Sequence, residues 1–210
     1  HFSFMKKINF NIKLNFKIGI FTFASLFFLY LLYLSIPSLY DSGRVQKVLY
    51  DKLIQEFQLN FSLSSDITYR ILPQPHFYIK DTKIFENQKK VFEEIGEVKD
   101  LRIYISKKNF FDKDNIYINK IALSRCNFFF KRENLDYISN LLNRDLSEKK
   151  ILIKKSKLFF NDKSDNIIFI YSIKNLNFYK NQKENSNQIK TRGNIFKIPV
   201  KLFWQKNFNN

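Results

Sequence analysis

The residues able to do acid–base, nucleophilic or metal chemistry are few and scattered along the chain. Histidine occurs twice, as His1 and His76, and cysteine once, as Cys126. A zinc site takes three or four such ligands, and histidine-based catalysis needs a partner that orients the ring. His76 stands between Pro75 and Phe77 with no carboxylate or cysteine at ligand spacing, so it reads as a partner-free loop or strand residue. Asp112 and Asp114 share a lysine-rich turn, where solvated carboxylates are the rule. Cys126 reads as a small core residue and has no partner for an internal disulfide. Gly19, Gly43, Gly96 and Gly193 stand alone, so no glycine-rich loop is available to cradle a phosphate. The expectation is a protein that is not an enzyme and binds no metal or cofactor.

The composition points elsewhere. Of 210 residues, 45% are hydrophobic and 18% aromatic, which excludes wholesale disorder and allows one or two domains with a real core. Lys and Arg number 36 against 19 Asp and Glu, a formal charge of +17. Asn, Ile, Phe and Tyr are abundant alongside Lys, the pattern of an AT-biased coding sequence, so the charge is a weak pointer to anionic partners. Basic and aromatic residues do interleave at Phe128–Arg132, as single-stranded nucleic-acid sites require. The apolar character of the rest of the chain argues against nucleic acid as a partner.

From Ile18 to Tyr40 no residue carries a formal charge, and Pro37 is placed to end a helix. Residues 18–36 therefore predict a transmembrane helix of roughly 28 Å, enough to cross the hydrocarbon layer. Bulky residues around Leu34–Pro37 leave no small-residue cleavage site, which favours an uncleaved anchor. Residues 1–17 form a basic segment with Lys6, Lys7, Lys13 and Lys17, against Arg44, Lys47 and Lys52 beyond the span. That difference favours an N-terminus on the cytoplasmic side only slightly. The span is expected to touch no compact core.

Residues 41–210 read as one β-rich domain. Ser42 is placed to cap an amphipathic helix in which Val45, Val48, Leu49, Leu53 and Phe57 recur at three- and four-residue steps. The period then changes to two. Leu59, Phe61 and Leu63 alternate with polar residues, followed by Ile67, Tyr69 and Ile71, a strand from Phe77 to a turn near Asp81, and then Ile103 and Ile105. Parity slips at Asn119–Lys120, which predicts a bulge. A second helix is expected over 134–142. Short strands follow at 151–153, 158–160, 167–171 and 176–178, then a polar loop over 181–188 and a final alternating run from Ile198 to Trp204. The predicted fold is mainly β with few helices: an anchor, an amphipathic helix, and a curved antiparallel sheet with one apolar face. Leu59, Phe61, Leu63, Ile67, Tyr69, Ile71, Ile103 and Ile105 are expected to share that face. Whether a second layer or a lipid chain covers it decides the function.

The order of these features resembles the N-terminal region of the AsmA-like family, over roughly residues 5–145. Leu59–Ile71 is similar to the family's first hairpin, and Leu72–Phe77, with its two prolines, to the turn that follows. Ile95–Ile105 resembles the strand that opens a level of the sheet. Asn109–Leu123 resembles a loop with an isoleucine-rich strand, and Asn127–Asn134 an aromatic strand ahead of a helix. The resemblance implies a bacterial inner-membrane protein with a single-pass anchor, a cytoplasmic N-terminus and a periplasmic β-rich part. It further implies a groove, here the eight residues above, that conducts phospholipid in support of outer-membrane biogenesis. The alternative is an anchored interaction module with a closed β core that binds an envelope protein by strand addition.

Overall fold

The computed structural model describes residues 2–57, 59–62, 66–88, 91–108, 110–144, 149–164 and 166–208. Helix α1 (Phe2–Ser35) passes into a 3-10 turn (Ile36–Leu39), where Pro37 occupies an opening position that needs no N–H donor. Lys17–Leu39, from the middle of α1 to the end of the turn, is the one stretch among the described residues long and apolar enough to cross a membrane. Helix α2 (Ser42–Phe57) follows. Its cap is Asp41 rather than Ser42: the Asp41 Oδ1 accepts the Arg44 N–H at 2.8 Å, leaving Ser42 inside the first turn.

Among the described residues nine strands follow: β1 (Asn60–Ser62), β2 (Ile67–Arg70), β3 (His76–Gln88), β4 (Val91–Ile105), β5 (Ile118–Phe130), β6 (Lys150–Asn161), β7 (Ile167–Asn181), β8 (Ser186–Ile195) and β9 (Ile198–Asn207), with α3 (Leu135–Asn143) between β5 and β6. They form one open sheet in the order β1-β3-β4-β5-β6-β7-β8-β9, with β2 also on β3. Residues 59–71 are thus not a hairpin, because β1 and β2 each pair with β3. The sheet is also not wholly antiparallel. β5 and β6 run parallel, since α3 carries the chain back along the sheet before β6 begins.

One cross-strand row shows how period-two alternation becomes a face. Tyr69, Phe77, Ile103, Ile121, Ile151, Phe178, Ile189 and Trp204 lie opposite one another from β2 to β9. This inner face is apolar and carries both α2 and α3. The slip at Asn119 is present, between the Tyr104–Lys120 and Ile105–Ile118 pairs.

A line of charged residues creases the sheet. Asp81, Arg125 and Lys155 adopt left-handed backbone conformations (φ 49°, 56° and 49°), with Lys99 opposite Asp81 and Lys174 opposite Lys155. All five are exposed, and each flips the parity of its strand. Apolar residues on both sides of the crease therefore reach the inner face. The strand expected to end near Asp81 instead continues to Gln88, and the four short strands expected between 151 and 178 are the halves of β6 and β7. The crease ends in a bulge at Lys174 opposite the Arg192–Gly193 step. There a Cβ on residue 193 would lie 2.2 Å from the Ser172 carbonyl oxygen, so the close approach requires glycine.

Two further expectations are corrected. The segment 181–188 is not a polar loop: β7 runs to Asn181, β8 begins at Ser186, and Ser186, Asn187 and Gln188 are buried. The end of α1 also touches the domain. Leu34 is buried in the core, the Tyr33 hydroxyl donates to the Lys107 carbonyl at 2.6 Å, and the Tyr69 hydroxyl donates to the Leu34 carbonyl at 2.6 Å.

Candidate functional site

The inner face is covered in two different ways. Under α2 it is closed: Leu49, Leu53 and Phe57 join Ile79, Leu101, Ile103 and Ile121 in one cluster from which solvent is excluded entirely. Beyond it, β5 to β8 form the floor of an apolar trough of about 400 Å³, at the small end of ordinary ligand sites, which run from roughly 300 to 1,000 Å³. Leu123, Phe128 and Phe130 supply one wall, Ile153, Leu158 and Phe160 the middle, and Phe169, Leu176 and Phe178 the other wall. The position of Gly96 opposite Phe128 gives that ring its room, a Cβ there coming within 3.1 Å of it.

Helix α3 roofs the trough with Leu135, Tyr137, Ile138, Leu141 and Leu142. The spacing of Leu135, Ile138, Leu141 and Leu142 puts them on one side of the helix, yet none of the five roof residues is fully buried. The roof is fixed at its ends by polar bonds instead. At the start, buried Asn134 donates its Nδ2 hydrogen to Glu86 at 2.6 Å and accepts the Lys131 N–H at 2.7 Å. At the finish, the Asn187 amide donates to the carbonyls of Leu142 and Arg144, and Lys206 donates to Asn143 at 2.7 Å. Burial pushes the Tyr137 hydroxyl's pKa up to about 12, with Glu86 adding to it, so it stays protonated in this apolar setting.

The residues expected to line a groove fall unevenly. Leu59 borders the trough. Ile103 and Ile105 are sealed in the core, whereas Phe61, also buried there, borders a separate cleft beside α2. Ile67, Tyr69 and Ile71 are half-buried against the core on the anchor side. Leu63 lies outside the described residues. Sequence reasoning missed the phenylalanines of β5, β6 and β7 and the two tethers. The face of Phe128 and Phe130 is set by the parity flip at Arg125, and the burial of Asn134 and Asn187 arises only when α3 docks.

Polar groups elsewhere hold structure. On the outer face, Arg125 makes a bidentate pair with Asp100 at 2.6 and 2.8 Å, and the Tyr78 hydroxyl donates to the same carboxylate at 2.6 Å. The Arg125 bonds lead in lowering the Asp100 pKa to about 2. His76 does have partners: its Nδ1 lies 2.7 Å from the Gln74 carbonyl, and its ring stacks on Tyr104. Burial holds its pKa below the ordinary value, with Arg102, Arg70 and Lys120 adding to the effect against the Gln74 bond. Cys126 is buried, which pushes its thiol up to about 12 and leaves it inert. No group of three or more His, Cys, Asp or Glu that could hold a metal occurs among the described residues. The described residues that line the trough are aliphatic or aromatic.

The family described as the AsmA family matches residues 13–192, from the anchor through most of β8. No curated protein matches the chain.

Proposed function

Because this chain belongs to the AsmA family, we propose that it is an envelope protein that holds or conducts phospholipid acyl chains in the trough beneath α3. Family membership supports an envelope-associated role. The observation that carries the finer reading is the trough itself: aliphatic and aromatic in its lining, roofed by a helix none of whose residues is fully buried, and continuous with the core that the end of α1 joins through Leu34. A sheet in which every strand buried one face under a tight layer would have no such space. The proposed setting is the inner membrane, with the β-rich part in the periplasm and the lipid serving outer-membrane biogenesis, and the protein is not an enzyme.

The test is phospholipid that copurifies with the full chain, identified by mass spectrometry, together with photocrosslinking from positions 153 and 176 in the trough lining. Crosslinks to lipid at both positions, and none from position 190 on the outer face, are expected. A protein that purifies free of lipid and never crosslinks to it would overturn the proposal in favour of an interaction module. That second reading draws on the free edge of β9, where Leu202 and Phe203 are more than half exposed. Pro199 weakens it, because a strand proline removes one donor from such an edge.

A further inference from the structure

Apolar side chains are exposed around the point where α1 meets the domain, in contrast to the closed core beside them. Phe111 is 79% exposed and Leu39 85%. Phe111 belongs to the connection between β4 and β5, which is docked onto the last turns of α1. Tyr33 stacks on Phe110 at 5.3 Å and lies 6.1 Å from the Phe111 ring. The Tyr33 hydroxyl binds the Lys107 carbonyl, and the Lys107 ammonium both donates to the Tyr30 hydroxyl and sits 5.1 Å above its ring.

These contacts set a depth. A residue bonded to position 30 or 33 of a membrane-crossing helix lies at the level those positions occupy. Tyrosine rings favour the headgroup layer, and a lysine ammonium is costly any deeper. Twenty residues counted back from Tyr33 reach Leu14, about 30 Å of helix, which matches the hydrocarbon thickness. Lys17 then lies one turn inside the far boundary, close enough for its long side chain to reach the surface. The bilayer boundary on the domain side thus runs through Tyr30 and Tyr33, and Phe111 and Lys107 lie at it.

We propose that the β4–β5 connection is an interfacial foot, which buries Phe111 in the boundary of the anionic bilayer that α1 crosses and sets Lys107 and Lys108 against its phosphates. The charge balance of the foot suits an anionic surface. Lys107, Lys108 and Lys113 are exposed, Asp114 is neutralised by Arg44, and Asp112 accepts the N–H groups of Asp114 and Asn115. The foot rests on the reading of α1 as an anchor.

The experiment uses the full chain in vesicles of phosphatidylethanolamine and phosphatidylglycerol with acyl chains brominated near the headgroup, which reach position 111, and near the chain end, which reach position 23 at the bilayer centre. Trp204→Phe removes the single native tryptophan, and Phe111→Trp, Phe23→Trp and Phe196→Trp are added one at a time. Loss of most of the Phe111→Trp and Phe23→Trp emission, with Phe196→Trp unquenched, is the expected result. Quenching of Phe23→Trp without Phe111→Trp overturns the foot and leaves the anchor standing. Quenching of neither overturns the anchor as well. Exchanging phosphatidylglycerol for phosphatidylcholine should weaken the Phe111→Trp quenching, and an unchanged signal would overturn the role given to the lysines. If Trp204→Phe does not fold, Phe111→Cys and Phe196→Cys in the otherwise native chain are compared by reaction with a water-soluble maleimide. Slower labelling at 111 in vesicles supports the foot, and equal rates overturn it.

Discussion

One sheet face meets two helices and ends in two different states. Under α2, four apolar side chains a turn apart lock into the sheet and leave no space. Under α3, a nine-residue helix with an equally apolar side buries none of its residues fully, and a cavity remains. Composition does not separate the two, since both helices offer leucine and isoleucine or valine to an aliphatic sheet. Length and attachment do. The long helix is held by its own packing, the short one by asparagines at its ends. An apolar surface becomes a core or a site according to how its cover is fastened.

The sharpest break in that comparison comes from placing a charge in each half. Ile103→Glu puts an unpaired carboxylate in the sealed half at a cost of several kcal/mol, a large part of a typical stability of about 5–15 kcal/mol. Calorimetry should show no cooperative unfolding transition. Ile153→Glu, on the trough floor, should keep the transition, because water can reach the carboxylate there, and should lose bound lipid. If both variants unfold alike, the two halves are one closed core.

A smaller step tests the covers themselves. Leu53→Ala in α2 should cost about 2–5 kcal/mol in urea denaturation, whereas Ile138→Ala in α3 should cost under about 1 kcal/mol. Equal costs would mean that α3 is packed as tightly as α2. Looseness of the roof does not extend to its floor. Gly193→Ala forces β7 and β8 apart and should cost about 2–3 kcal/mol, while Gly96→Ala, which meets only the Phe128 ring, should cost less and change the trough's capacity for lipid.

The smallest effect concerns the outer face, shared by both halves. The Asp100 pKa is lowered from 3.8 to about 2, so the contribution of its pair with Arg125 is fully present above pH 4 and is lost as pH falls through 2. Urea midpoints taken at pH 6, 4 and 2.5 should fall for the native chain by the equivalent of about 1–2 kcal/mol more than for Asp100→Asn. Parallel curves would show that the pair adds nothing to stability.

Much of this was legible in the sequence. The uncharged run found the second half of α1, which begins at Phe2 rather than Ile18, the 3.6-residue period found α2 and α3 to within a residue or so, and the slip at Asn119 found its bulge. The crease was not legible, because a charged residue in a left-handed conformation flips parity in mid-strand, and a parity break reads as a strand end. Asp81 and Lys155 each hid half of a long strand in this way. The trough was not legible either. Leu59, Ile103 and their neighbours alternate as clearly as Ile153 and Leu176 do, and only the docking of α2 or α3 distinguishes a sealed position from an open one. Asn187 and Gln188 read as loop residues because their partners, Leu142 and Glu184, meet them only in the folded chain.

The parallel joint between β5 and β6 has a consequence for the order of assembly. On one side of it, β3, β4 and β5 follow one another as neighbours; on the other, β6 to β9 do the same. Each group can zip up through local turns, at little loop-closure entropy, before it meets the other. Their meeting waits for α3, which lies between β5 and β6, to dock on the sheet. The trough is therefore a seam between two folding units whose linker becomes its roof. Neither unit contains the cavity alone, and the step that joins them is the step that creates it.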